Sequence, residues 1–140
     1  MAAGTSILLI TTENQVTTGI ARLLRSLHDA SLRLASCHPD EIGDYDFGAL
    51  SLVLLDNEMP DGASQAVLTE ITTLPAHPPI LLLSDPTVES MRIMLDALEA
   101  GADDFLPRPS ENLQMDPDVL SSCISEKVFS FTRQPVFPDR

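Results

Sequence analysis

Leu52-Val53-Leu54-Leu55-Asp56-Asn57-Glu58-Met59-Pro60 is the stretch that decides how this chain folds. Four consecutive apolar residues bounded by a loop signal read as a parallel strand buried on both faces. A carboxylate, Asp56, closes the run. Ligands of open α/β sheets bind beyond the carboxyl ends of such strands, so Asp56 is expected in a functional crevice.

On either side of this strand the pattern alternates. Strands are expected at Ser6–Thr11, Ser31–Ser36, Ser51–Leu55, Ile80–Leu83 and Asp103–Leu106. The segments between them carry apolar residues at helical spacing, which is the signature of a doubly wound parallel sheet. In the first helix Asn14 can cap, and Val16, Ile20, Leu23, Leu24 and Leu27 form one stripe with Arg22 and Arg25 outside it. His38–Tyr45 is short and polar enough to be a single ragged turn. Ala63–Thr72 and Val88–Ala100 are helices with Ala66, Val67, Ile71 and then Met91, Leu95, Leu98 turned inward, the second ending at Gly101. Asp116 as N-cap and Pro117 at the first helical position open the last helix, whose inner face is Leu120, Ile124 and Val128. Residues 1–131 form one domain; residues 132–140, with Pro135 and Pro138, read as a flexible tail or the start of a linker.

The composition narrows the function. Eight basic against 21 acidic residues in 140 leave a net charge of −13, which repels phosphate backbones and argues against nucleic-acid binding. Cys37 and Cys123 fall in no metal-ligand spacing and suggest a reducing compartment. No apolar run approaches the roughly 20 residues of a membrane helix, so a cytoplasmic protein without membrane contact is expected. His28, His38 and His77 have no evident Ser/Asp partners, and no Gly-x-Ser-x-Gly elbow occurs. They read as surface or loop residues.

Taken together, Asp56-Asn57-Glu58-Met59-Pro60, Ser84 at the end of the fourth strand and Gly101-Ala102-Asp103-Asp104-Phe105-Leu106-Pro107-Arg108-Pro109 resemble the receiver domain of two-component response regulators. The resemblance spans about residues 6–130. Within the family the chain is similar to the receiver of the chemotaxis protein-glutamate methylesterase, through Leu83-Ser84-Asp85-Pro86-Thr87, Pro109-Ser110-Glu111-Asn112-Leu113 and Ser125-Glu126-Lys127-Val128. The implied fold is the flavodoxin-like (CheY-like) five-stranded parallel sheet, order 2-1-3-4-5, with five helices, two on one face and three on the other. In the subfamily the final segment runs into an esterase domain, so the chain reads as a fragment cut before it.

The resemblance implies a phosphoacceptor carboxylate at Asp56, with Mg²⁺ and a cation neutralising the phosphoryl oxygens and a hydroxyl reporting the result. The family's acidic pair falls on Thr11 and Thr12, and its lysine on Arg108. A planar guanidinium does not replace an ammonium conservatively. Mg²⁺ demands hard oxygens, leaving Asp56, Glu13 and Glu58 as candidate ligands of a weak or absent metal site. Without metal, Arg108 can hold Asp56 directly. Ser84 and Phe105 resemble the switch pair, with an ordinary core aromatic as the other reading of Phe105. Met91 is expected to fill core, Met94 to face a partner, and Met115 to belong to the same soft face. The family's cis bond would fall at Arg108-Pro109.

The expectation is therefore a degenerate receiver, a binding module rather than an enzyme, that contacts a partner or effector domain through its fourth helix, fifth strand and last helix (the 4-5-5 face). The alternative is a functional receiver, phosphorylated on Asp56 by a histidine kinase and regulating a methylesterase output domain. An aspartyl phosphohydrolase fits poorly, because that chemistry wants a second Asp where Glu58 stands.

Overall fold

The computed structural model describes residues 4–24, 32–109 and 115–132. Five strands, β1 (Thr5–Ile10), β2 (Leu32–Cys37), β3 (Leu52–Asp56), β4 (Ile80–Ser84) and β5 (Asp104–Pro107), pair in parallel in the order β2-β1-β3-β4-β5. The α-helices are α1 (Asn14–Leu24), α2 (Ala63–Thr72), α3 (Val88–Glu99) and α4 (Pro117–Thr132). The remaining helical connection, between β2 and β3, is two short 3-10 segments, Pro39–Asp44 and Phe47–Ala49.

Alternation along the strands divides the core into two layers. Ile7, Leu9, Leu52, Leu54, Leu81 and Leu83 pack against Val16 and Ile20 of α1 and Ile124 and Val128 of α4. Leu8, Ile10, Val53, Leu55, Ile80 and Leu82 face α2, α3 and the 3-10 segments. This is the expected division of two helical elements and three, and it explains why β3 and β4 read as continuous apolar runs.

Two helix faces differ from the sequence expectation. In α2 the buried residues are Ser64, Val67, Leu68 and Ile71, with Ala66 outside. In α3 they are Ser90, Met94 and Ala97, whereas Met91 and Leu95 are about half exposed. The roles of Met91 and Met94 are thus exchanged. The reason is polar: Thr87 caps the Ser90 N–H at 3.1 Å, and the Ser90 hydroxyl donates to Glu58 at 3.0 Å, which fixes the rotation of α3 with a polar residue inward. Small Ser90 and Ala97 let the helix approach the sheet. An apolar outer stripe, Val88, Met91 and Leu95, remains at the surface.

Gly101 ends α3 with a left-handed φ of 125°, where a Cβ would lie 2.9 Å from Thr72 Cγ2. Asp116 caps α4 as expected, accepting the Asp118 N–H at 2.8 Å. The expected positions of Arg25, Leu27, His28 and Ser31, of the tail pattern Ser110-Glu111-Asn112-Leu113, and of residues 133–140 lie outside the described residues. The Arg108-Pro109 bond, where the family's cis bond would fall, is trans. Trans is the lower-energy isomer of an X-Pro bond by roughly 0.5–1 kcal/mol, and in this form Pro109 packs against Gly19, where a Cβ would come within 2.9 Å of the proline ring.

Candidate functional site

The carboxyl ends of β1, β3, β4 and β5 bring the candidate residues together. Asp56 closes β3 and is fully buried. Its place is fixed by the backbone, because the Asn57 N–H continues the ladder to Leu83 O at 2.9 Å and the Ser64 hydroxyl of α2 donates to Asp56 O at 2.8 Å. Buried carboxylates need partners, and this one has four donor contacts. Thr11 Oγ1 donates to Oδ2 at 2.7 Å, the Glu58 N–H to Oδ1 at 3.0 Å, Arg108 Nε to Oδ1 at 2.8 Å and Arg108 Nη2 to Oδ2 at 3.2 Å.

Arg108 follows β5, its own N–H bonded to Ser84 O at 3.0 Å, and its side chain reaches over the end of β4 to Asp56. The pair is side-on and bidentate, the strongest geometry available to these groups. Two further carboxylates approach the same guanidinium: Glu13 Oε1 at 3.2 Å from Nη2 and Asp85 Oδ1 at 3.8 Å from Nη1. Burial acts to lower the Arg108 pKa, but the hydrogen bonds and charge of Asp56, with Glu13 and Asp85, outweigh it and hold the group above its ordinary value. Arg108 stays a cation, and three carboxylates converge on it.

The expected degenerate site is overturned by this arrangement. Thr11 is a working partner of Asp56 rather than a lost carboxylate, and it also accepts the Glu13 N–H at 3.1 Å, which turns Glu13 toward the cluster. Glu13, Asp56 and Asp85 keep the site acidic, while Arg108 keeps the cation that the family places there. Thr12 lines a shallow groove with His38, Pro39 and Ala63. In the sequence Asp85 stands within Leu83-Ser84-Asp85-Pro86-Thr87 with no site role of its own, because it follows Ser84 in a loop and only the reach of Arg108 makes the position informative.

Glu58 was expected among the metal ligands. Its carboxylate is instead committed to the start of α3, accepting from the Asp85 N–H and the Ser90 hydroxyl, both at 3.0 Å. Among the described residues no three His, Cys, Asp or Glu side chains are arranged around a common metal position. Ser84 Oγ is buried at the end of β4 and makes no hydrogen bond to any of the described residues. Phe105 is 41 % exposed rather than a core aromatic, and Lys127 Nζ lies 5.4 Å from its ring centre while bonding Asp104 Oδ2 at 2.5 Å.

Residues 7–118 match the response regulator receiver domain family. The chain belongs to that family. Curated relatives include protein-glutamate methylesterase/protein-glutamine glutaminase 2 of Pseudomonas fluorescens (strain Pf-5), 39% identical over 84 residues, 59% of this chain and 22% of that protein. Another, enzyme 1 of Pseudomonas aeruginosa PAO1, is 38% identical over 84 residues, with the same shares of 59% and 22%. The receiver thus spans about a fifth of the length of these relatives. Among solved structures, the response regulator domain of Thermotoga maritima CheB superposes with a TM-score of 0.69 at 17% identity, over 96% of this chain and 99% of that one. A putative pilus assembly-related protein of Burkholderia pseudomallei gives 0.69 at 18% identity, over 99% and 97%. What is matched is a response regulator receiver domain. Among the described residues no helix is long and apolar enough to cross a membrane.

Proposed function

We propose that this receiver accepts a phosphoryl group on Asp56 from a phosphohistidine of a histidine kinase, and thereby controls an output domain of the methylesterase type. The observation that carries this is the buried Asp56 carboxylate held by Arg108, Thr11 and the Glu58 N–H. In the reaction an Asp56 oxygen attacks phosphorus, the new P–O bond forms as the P–N bond breaks, and the imidazole nitrogen leaves with the electron pair. Negative charge accumulates on the phosphoryl oxygens, so a fixed cation beside the nucleophile is the main requirement on the protein.

Arg108 supplies that cation from within the site. Thr11 and the Glu58 N–H hold the carboxylate in one orientation, which keeps the attacking oxygen aligned. Glu13, Asp56 and Asp85 carry three negative charges against the one positive charge of Arg108, a surplus that a divalent cation would offset through hard oxygens, although the three are not arranged around one metal position. Glu13 and Asp56 would hold Mg²⁺, which when bound neutralises charge on the phosphoryl oxygens. Glu58, occupied by Ser90 and Asp85, stays outside that shell.

Readout begins at Ser84. Among the described residues its hydroxyl has no hydrogen bond to give up, so a phosphoryl oxygen can draw it without loss. Phe105, on the neighbouring strand and exposed beside Lys127, is the group that can move inward in response. The surface so changed, Phe105 with the exposed Met91 and Leu95 of α3 and with α4, is the contact face for the output domain or another partner. The test is ³¹P NMR of the chain incubated with phosphoramidate. A signal from an acyl phosphate, absent in Asp56→Asn, supports the reading; its absence from the unaltered chain refutes it.

A further inference from the structure

One guanidinium with three carboxylates is more than a simple lysine-to-arginine exchange requires. Each edge of Arg108 has its own partner: Nε and Nη2 face Asp56, the outer side of Nη2 faces Glu13, and Nη1 faces Asp85. The Asp85 contact is unlike the others. At 3.8 Å it is too long for a hydrogen bond, and Asp85 Oδ1, itself buried, has no hydrogen-bond partner among the described residues. Its backbone is nevertheless held, since the Asp85 N–H donates to Glu58 at 3.0 Å, which is in turn tied to Ser90. A charged acceptor is thus fixed by the fold just beyond reach of Nη1.

We infer that Asp85 is a positioning residue for Arg108, the second seat to which Nη1 moves when Asp56 becomes an acyl phosphate. The inference rests on the phosphoacceptor reading. In the free carboxylate both Asp56 oxygens carry charge and engage the Nε/Nη2 edge. In the phosphorylated form one of them is the bridging oxygen, its charge is gone, and that edge is free for the phosphoryl oxygens. The guanidinium must then shift outward without leaving the site. A shift of about 1 Å toward Asp85 brings Nη1 within hydrogen-bond distance and keeps the plane of the fork facing the phosphoryl group. Lysine has no Nη1, so the device serves arginine alone.

The test is a double-mutant cycle between Asp85→Ala and Arg108→Lys, read as the rate of phosphoryl gain from acetyl phosphate by intact mass. Removing a carboxylate beside the site eases the approach of the dianion in both backgrounds, and the ratio between backgrounds cancels that effect. The expected result is that Asp85→Ala lowers the rate about fivefold relative to its effect in Arg108→Lys, and that Asp85→Asn, which retains an acceptor oxygen, recovers part of the loss. Equal effects in the two backgrounds overturn the assignment. A second measurement does not depend on phosphorylation: rotational exchange of the Arg108 Nη groups, followed by ¹⁵N NMR of the unmodified chain. Because Nη1 is not bonded to Asp85 before phosphorylation, the rate is expected to be the same in Asp85→Ala, and a rise of several-fold contradicts the assignment by showing that Asp85 already holds Nη1 in the resting site. If no variant gains a phosphoryl group, the functional reading fails, while the exchange rates still decide what Asp85 does.

Discussion

Arg108 clasps Asp56 side-on, Nε to Oδ1 at 2.8 Å and Nη2 to Oδ2 at 3.2 Å, with the carboxylate fully buried and the guanidinium nearly so. Two residues 52 positions apart thus join the third and fifth strands across the fourth. Breaking one side of a buried pair leaves the other uncompensated, at a cost of about 3–5 kcal/mol. Asp56→Asn keeps the shape, and Glu13 and Asp85 still face Arg108. A smaller loss of about 2–3 kcal/mol in urea unfolding is therefore expected, with a larger one for Arg108→Ala, which strands three carboxylates. An Asp56→Asn protein as stable as the unaltered chain would mean that the pair contributes nothing to folding.

Thr11 offers a cleaner separation of orientation from charge. Thr11→Val preserves volume and removes the hydroxyl that donates to Asp56 and accepts from the Glu13 N–H. The expected loss of stability is about 1–2 kcal/mol, and phosphoryl gain from acetyl phosphate should slow because the attacking carboxylate is freer. Unchanged kinetics would place Thr11 outside the reaction.

Glu58 acts as a clamp between the β3–α2 loop and the start of α3. Glu58→Ala and Ser90→Ala should each cost about 1–2 kcal/mol, and the double variant should cost less than their sum because the same hydrogen bond is lost twice. Full additivity in thermal or urea unfolding would show that the contact carries no coupling.

Cys37 gives the chain a signature in alkali. Burial, and then the charges of Glu41, Asp40 and Asp44, raise its thiol from 9.0 to about 11. The unfolded state therefore loses its proton first. Stability from this group is complete below pH 9 and declines as pH rises toward 11. The decline should reach about 1–2 kcal/mol, taken as the difference between the unaltered chain and Cys37→Ala. The same burial makes Cys37 slow to react with iodoacetamide at pH 8, whereas the partly exposed Cys123 reacts first. Parallel pH profiles for the two proteins would refute this.

The sheet was legible in the sequence because its central strands are buried on both faces, and an unbroken apolar run such as Leu52–Leu55 has few other readings. Strand ends shifted by about one residue at most boundaries, as loops end pairing without an apolar signal. Rotation of α3 was not legible. Its sequence holds two overlapping apolar stripes, and the choice falls to a polar bond between Ser90 and Glu58 that no hydrophobic pattern encodes. At the site, the Asp56–Arg108 contact could be anticipated from the family alignment of roles. The meaning of Thr11 could not, because a hydroxyl beside a buried carboxylate reads in sequence as a missing acid. Asp85 was equally silent, since only a side chain as long as arginine brings Nη1 near it.

The central claim is that Asp56 remains a phosphoacceptor although Thr11 and Thr12 stand where the family's acidic pair falls. Intact-mass spectrometry after incubation with acetyl phosphate, with and without Mg²⁺, tests it most directly. One added phosphoryl group in the unaltered chain, increased by Mg²⁺ and absent in Asp56→Ala, is the predicted result. No added mass under either condition, or an equal gain in Asp56→Ala, would contradict it.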